Sequence, residues 1–155
     1  MVGFGYDVHR LVDGKKMILG GVLISDNFGM IAHSDGDALA HAIIDSLLGA
    51  VGLGDIGEHF PDSDEQYKNA DSMQLLAHTI SLISKHGYRI INIDVLIQLE
   101  KPKLKDYKSQ IRDNVAKICG LEASRVNIKA GTNEKMGFVD RSEVLVYFVF
   151  LRLNK

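Results

Sequence analysis

One cysteine, Cys119, stands among 155 residues, so no intrachain disulfide can form, which fits a reducing compartment. Its place in the apolar stretch Val115-Ala116-Lys117-Ile118-Cys119, just before a helix-ending Gly120, marks it as core filler rather than a reactive thiol. Long apolar runs are missing too. The longest, Val144 to Leu151, falls far short of the ~20 residues that a membrane helix needs. Nor is there an excess of one charge. Eighteen Lys and Arg face twenty Asp and Glu, a net charge of −2, which excludes a general binder of nucleic acid or of anionic membranes and makes any phosphate recognition local. Neither a basic-then-apolar signal nor an Arg/Ser-rich transit segment precedes the first strand-like stretch, so the expected location is the cytoplasm, or an organelle for the mature form of a plastid-type protein. What remains is an ordinary globular composition, 46% hydrophobic and 25% charged. Its length suits a single domain, 1–155, that buries about 70% of the surface its unfolded chain exposes.

Along the chain, Val2 to Leu11 alternates poorly but reads as a strand bounded by Asp13-Gly14, and Met17-Ile18-Leu19, Gly20-Gly21, Val22-Leu23-Ile24 reads as a hairpin. From Asp37 to Val51, Leu39, Ala40, Ile43, Ile44, Leu47 and Leu48 recur at helical spacing. Gly52 to Lys68, with three glycines, Pro61 and several acids, reads as a long loop. A second helix runs from Ser72 to His86, capped by Asp71 and closed by Gly87, and is followed by a strand over Arg89 to Leu99. A third helix fits between Asp106 and Cys119. A short strand, Arg125 to Ala130, a polar loop, Gly131 to Arg141, and a closing strand, Ser142 to Leu153, complete the pattern. Both faces of that last strand are apolar, which places it centrally. The expected fold is α+β: a mixed sheet with three helices on one face, the other face buried by self-association.

The chemistry starts at Asp7-Val8-His9. Side chains two apart on a strand point to the same side, and His41, on the first helix, can supply a third ligand. Two nitrogens and a carboxylate oxygen suit zinc and leave a tetrahedral ion one open position. Asp37 and Asp45 share the His41 stripe at i−4 and i+4, so one of them can orient its imidazole; a solvated helix face is the plainer alternative. His33-Ser34-Asp35-Gly36 precedes the helix, an arrangement for an anion site or for simple capping by Ser34 or Asp35. The turns Gly54-Asp55-Ile56-Gly57 and Phe60-Pro61-Asp62-Ser63-Asp64 carry carboxylates suited to sugar hydroxyls. Lys101-Pro102-Lys103 and the loop Lys129 to Lys135 each follow a strand, where ligands of open sheets bind, and can receive a nucleotide diphosphate. Glu134 there offers an oxygen to a harder cation such as magnesium. Neither a P-loop nor a Gly-x-Gly-x-x-Gly fingerprint is present.

In order along nearly the whole chain, Asp7-Val8-His9-Arg10, Leu19-Gly20-Gly21, His33-Ser34-Asp35-Gly36-Asp37 with His41-Ala42, Asp45-Ser46-Leu47-Leu48-Gly49-Ala50, Gly54-Asp55-Ile56-Gly57, Phe60-Pro61-Asp62, Pro102-Lys103 and Thr132-Asn133-Glu134-Lys135 with Gly137-Phe138 resemble the 2-C-methyl-D-erythritol 2,4-cyclodiphosphate synthase family. The resemblance implies a homotrimer with active sites between subunits, no nucleic-acid or membrane partner, and a phosphorus-oxygen lyase of the non-mevalonate isoprenoid route. Its substrate would be 4-diphosphocytidyl-2-C-methyl-D-erythritol 2-phosphate, cyclised with release of CMP.

By the same resemblance Asp7, His9 and His41 hold zinc, and Glu134 holds magnesium or manganese. His33 and Thr132 stabilise the transition state, and His33 and Ser34 meet the 2-phosphate. Asp55, Gly57 and Asp62 face the methylerythritol part, and Phe60 also meets the substrate. Leu99, Pro102, Lys103, Leu104, Lys105, Ala130, Gly131, Thr132, Asn133 and Glu134 receive the cytidine diphosphate, while Phe138 and Arg141 lie near substrate or the trimer axis. Two departures stand out: Gly131 replaces a frequent Thr, leaving phosphate contact there to the amide, and Phe148 replaces a Glu that in some relatives lines a cavity for isoprenoid diphosphates, which argues against such effectors here. Phe4 and Tyr6 would line that cavity or pack the trimer. Two rival activities share these residues, a metal-dependent nucleotide diphosphate hydrolase and a non-catalytic sensor of nucleotides or isoprenoid diphosphates.

Overall fold

Each alternate residue on one side of the first strand, Gly3, Gly5, Asp7, His9 and Leu11, faces inward and its neighbours face out, and this pattern organises the molecule. A computed structural model describes residues 1–137 and 144–155, the side chains of 144–148 excepted. The strand is β1 (Val2–Asp13), and the others are β2 (Met17–Leu19), β3 (Val22–Ser25), β4 (Phe28–Met30), β5 (Arg89–Gln98), β6 (Val126–Gly131) and β7 (Val144–Asn154). The helices are α1 (Ala38–Val51), α2 (Ile56–His59), α3 (Ser72–Lys85) and α4 (Lys108–Cys119). Five strands form one sheet in the order β4-β1-β7-β5-β6, and β2 and β3 form a separate hairpin. Every neighbouring pair of the large sheet is antiparallel except β5 and β6, which α4 connects in parallel. The mixed α+β sheet and the central place of the closing strand, between β1 and β5, agree with the sequence pattern.

The poor alternation of β1 has a physical reason. A Cβ on Gly5 would lie 1.8 Å from the Ala42 carbonyl oxygen and one on Gly3 1.9 Å from that of Ser46. The backbone of α1 therefore rests directly on the strand, and only glycine permits it. Helix α1 is apolar nearly all round because it lies between the sheet and α3, with Leu39, Ile43, Ile44, Leu47 and Leu48 inaccessible to solvent. From the sheet, Ile93, Val95 and Ile97 of β5 and Val149, Leu151 and Leu153 of β7 complete this layer. Cys119 is buried at the end of α4, and burial pushes its thiol up to about 12, so it is inert packing as expected.

Four expectations need correction. The stretch 52–68 is not a featureless loop: it contains α2, capped by Asp55 accepting from the Glu58 amide at 3.0 Å, and a tight turn over Glu65–Tyr67 capped by Asp64. The helices thus number four rather than three among the described residues. Strand β4 was not apparent, since three residues carry no periodicity; it pairs Phe28–Met30 with the end of β1. The cap of α1 is Asp37, not Ser34 or Asp35. Asp37 is wholly buried, and its carboxylate is taken up by backbone amides. Its Oδ1 accepts from the Ala40 and Gly20 amides at 3.1 and 2.9 Å, and its Oδ2 from the Gly21 amide at 2.7 Å. The hairpin turn Gly20-Gly21 has φ of +56° and +75°, a conformation suited to glycine that aims successive N–H groups at one anion. Burial lifts the Asp37 carboxyl to about 6 despite those three donors. The anion at this helix start is therefore the protein's own.

Candidate active site

Because α1 touches the backbone of β1 at Gly5 and Ala42, the preceding helical residue, His41, comes down beside the next inward residues of the strand. Asp7 Oδ2 lies 3.3 Å from His9 Nδ1 and 3.4 Å from His41 Nδ1. These three side chains are the group of potential metal ligands found among the described residues, with ligand atoms within 4.8 Å of one another. A tetrahedral ion with bonds of about 2.0–2.1 Å separates its ligand atoms by about 3.3 Å, which matches the spacing from Asp7 to each histidine. Asp7 Oδ2 and His9 Nδ1 are buried and lack aligned hydrogen-bond partners, and buried polar atoms left so are rare without a reason. The residues fit a divalent metal, zinc by donor type.

Burial opposes ionisation of Asp7, but the His41 and His9 imidazoles, within hydrogen-bonding range, outweigh it and bring the carboxyl down to about 2. Burial likewise opposes protonation of His41, yet contact with Asp7 and the charges of Asp7, Asp37 and Asp35 raise its pKa. A raised imidazole pKa keeps the proton on to higher pH, so a metal must displace it. Metal affinity is expected to weaken as pH falls through this range, by about tenfold per unit for each proton displaced. Titration calorimetry at pH 6 in buffers of different ionisation enthalpy should register that proton release; its absence would refute the displacement.

The sequence-derived second contact for His41 is different from the observed one. Asp37 is committed to the hairpin turn, and Asp45 accepts from the Ile56 amide at 2.8 Å, fastening α2 to α1. His41 Nε2 instead meets the hydroxyls of Ser72, at 2.9 Å, and Ser34, at 3.2 Å. Ser72, at the start of α3, carried no local signal that it would reach this site, since its position follows from the packing of α3 on α1.

The three ligands open into a cavity of about 690 Å³ whose lining includes His33, Ser34, Gly57, Phe60 and Asp62. Arg10, Ile31, Tyr67 and Leu75 also line it and were not anticipated. Asp55 is not among the lining residues; its carboxylate caps α2. A second cavity of about 460 Å³ gathers Leu99, Lys103, Leu104, Lys105, Lys108, Ala130, Gly131, Thr132 and Glu134, at the ends of β5 and β6. Pro102 follows a cis peptide bond, and the Asn133 amide is held by Glu100 Oε1 at 3.0 Å. Glu134 has φ of +51° and its Oε1 accepts from the Thr132 hydroxyl at 2.9 Å. The two cavities share no lining residue. Phe138 and Arg141 lie outside the described residues, as does the side chain of Phe148.

The sequence matches the model of the YgbB family over residues 1–153. It is 51% identical over 142 residues to the 2-C-methyl-D-erythritol 2,4-cyclodiphosphate synthase of Chlorobaculum tepidum, an alignment covering 92% of this chain and 90% of that one. To the synthase of the same name from Fusobacterium nucleatum it is 49% identical, covering 99% and 97%. Among solved structures, a 2-C-methyl-D-erythritol-2,4-cyclodiphosphate synthase in a CDP-bound form superposes with a TM-score of 0.92 at 32% identity, covering 99% of this chain and all of that one. A bifunctional IspDF from Campylobacter jejuni gives a TM-score of 0.94 at 43% identity, with 98% of this chain matching 41% of the longer protein.

Proposed function

The chain belongs to the YgbB family, and we propose that it converts 4-diphosphocytidyl-2-C-methyl-D-erythritol 2-phosphate to 2-C-methyl-D-erythritol 2,4-cyclodiphosphate and CMP. The observation that carries the proposal is the Asp7, His9 and His41 cluster facing a cavity that also holds His33 and Ser34. In the reaction an oxygen of the 2-phosphate attacks the β-phosphorus. A new P–O bond closes the ring, the bond to the oxygen bridging α- and β-phosphorus breaks, and CMP departs with the electron pair. No water enters and nothing is oxidised, so the class is a phosphorus-oxygen lyase.

Joining two anions requires alignment and charge neutralisation. His33 and Ser34 hold the 2-phosphate beside the ligand trio, and Gly57, Phe60 and Asp62 seat the carbon skeleton. Asp55, at the cap of α2, sets the edge of that seat. Lys103, Lys105 and the Thr132 hydroxyl meet the diphosphate, with Thr132 and His33 placed to stabilise the charge of the transition state. Leu99, Pro102, Leu104, Ala130 and Asn133 frame the cytosine and ribose, and the Gly131 amide faces the phosphates. Asp7, His9 and His41 would hold zinc, and Glu134 magnesium or manganese, which when bound polarise phosphate oxygens and offset the charge on departing CMP.

The resemblance implies that a complete site takes the first cavity from one subunit and the second from its neighbour, and the lack of any shared lining residue between the two cavities of one chain is consistent with this. We therefore assign the chain to a homotrimer. Supporting this are Val2, Phe4, Tyr6 and Val8 of β1 and Phe150 of β7, exposed by 72%, 52%, 42%, 42% and 50% on the sheet face away from the helices, an apolar patch of a kind that monomers seldom leave uncovered. The Phe4 and Phe150 rings are 5.2 Å apart there. We place all of 1–155 in one domain acting in the cytoplasm; no helix among the described residues is long and apolar enough to cross a membrane.

Glu134→Gln should raise the magnesium concentration needed for half-maximal rate by about tenfold or more while leaving zinc content unchanged, since it removes the hard anionic oxygen and no atom of the Asp7 cluster. Zinc loss in that variant, measured by elemental analysis after dialysis, would contradict the division of roles. Cyclisation and hydrolysis separate cleanly in ¹⁸O-labelled water. Product and CMP free of label support ring closure, whereas one labelled oxygen per turnover identifies a hydrolase.

A further inference from the structure

The two serines on His41 Nε2 are not equivalent. The Ser72 hydroxyl lies 2.5 Å from Asp35 Oδ1, and the Ser72 amide donates to Asp35 Oδ2 at 3.1 Å. The same Asp35 Oδ1 accepts from the Asp37 amide at 3.1 Å, and the Asp35 amide donates to the Ala70 carbonyl at 3.2 Å. Asp35 is thus bound at both oxygens and at its own backbone, and Ser72 is wholly buried. Ser34 Oγ, by contrast, already accepts from the Gly36 amide at 3.2 Å and lines the open cavity.

A carboxylate only accepts hydrogen bonds. With Ser72 Oγ so close to Asp35, the serine proton must point at the carboxylate, and only its oxygen lone pairs face the imidazole. His41 Nε2 must then be the donor. In the neutral ring this leaves Nδ1 deprotonated: Nδ1 faces the Asp7 carboxylate, the competing acceptor, at 3.4 Å, and the shorter 2.9 Å contact to Ser72 keeps the proton on Nε2. We propose that Asp35 and Ser72 are positioning residues, a carboxylate–hydroxyl relay that locks His41 in the Nε2–H tautomer and so presents the Nδ1 lone pair to a metal. Metal-bound histidines commonly receive such an orienting contact from a carboxylate directly; here a serine from the start of α3 stands between. The relay also ties the start of α3 to the segment before α1, so the ligand's tautomer depends on how those two helices pack.

The inference rests on the metal reading, but its first readout does not need metal. In metal-free protein, long-range ¹H–¹⁵N NMR of the imidazoles should show His41 as a single Nε2–H tautomer at a pH where the ring is neutral. Ser72→Ala should give a tautomer mixture and lower zinc affinity by about 10- to 100-fold, measured by chelator competition. Asp35→Asn, nearly isosteric, keeps an acceptor but can also donate; it should shift affinity the same way and serves where the alanine variant folds poorly. A purely structural serine would lower the melting temperature while tautomer and zinc affinity stay at wild-type values, and that result in a folded variant overturns the relay. If the wild type itself bound no zinc, the metal reading would fail while the tautomer result still decided the relay.

Discussion

Replacing His41 with alanine is expected to abolish stoichiometric zinc binding and to lower CMP release by about 10³-fold or more, with the chain still folded. The size follows from the charge that a bound metal neutralises, worth several kcal/mol in a transition state, at about 1.36 kcal/mol per factor of ten. The fold should tolerate the change because the His41 side chain lines the open cavity rather than the apolar layer between α1 and the sheet. Its neighbours on α1, Ala40 and Ala42, are buried against other elements, and Ser72 keeps its bonds to Asp35. Loss of the imidazole does remove one of the two rings that hold the Asp7 carboxyl well down, so the apo variant should bind its acid proton at a higher pH than wild type. Elemental analysis after dialysis, together with the rate of CMP release, checks the prediction. A variant with wild-type zinc content and rate would refute the ligand assignment.

Gly5→Ala is expected to damage stability and the metal site together, although residue 5 touches no ligand. Its new methyl would fall 1.8 Å from the Ala42 carbonyl oxygen and 3.0 Å from the Ser46 amide nitrogen. Both are helix backbone, which cannot step aside as a flexible side chain would. Overpacking of a rigid contact costs about 3 kcal/mol, the upper part of the usual range, equivalent to a melting temperature lower by about 6–12 °C for a chain of this size. Helix α1 can relieve the clash only by moving off β1, which carries His41 away from Asp7 and His9. Zinc affinity should therefore fall even well below the melting temperature. Gly49→Ala is the comparison, since a Cβ there meets nothing within 4 Å and should leave affinity and stability near wild type. Equal behaviour of the two variants would show that the close approach of helix and strand does not set the site.

The same contact explains how much of the molecule could be read in advance. Asp7 and His9 were legible because strand alternation is local, and His41 because helical spacing is local. The glycines of β1 look like weak strand residues until the helix that needs their missing side chains is in place. Asp37 shares a stripe with His41 by spacing alone, yet it turns inward, because a hairpin with two left-handed glycines lies against it. Ser72 is 31 positions from His41, and nothing around it in sequence distinguishes it from an ordinary residue after a cap. In the stretch 52–68, glycines and acids suggested a loop, whereas Asp55 and Glu58 supply the start signals of a one-turn helix. What linked the local groups into one activity was the joint resemblance of ordered segments. No single motif specified it, and the grouping of the candidate residues into two cavities with no shared lining residue became visible only in the folded chain.

The central claim, that this fold closes a cyclic diphosphate rather than hydrolysing a nucleotide, is tested most directly by phosphorus NMR of the products. Wild-type protein with zinc and magnesium should convert 4-diphosphocytidyl-2-C-methyl-D-erythritol 2-phosphate to CMP and a second product showing two phosphorus resonances coupled to each other, with no uncoupled methylerythritol phosphate. Appearance of free monophosphates in place of the coupled pair, or binding of the substrate without turnover, would contradict the account.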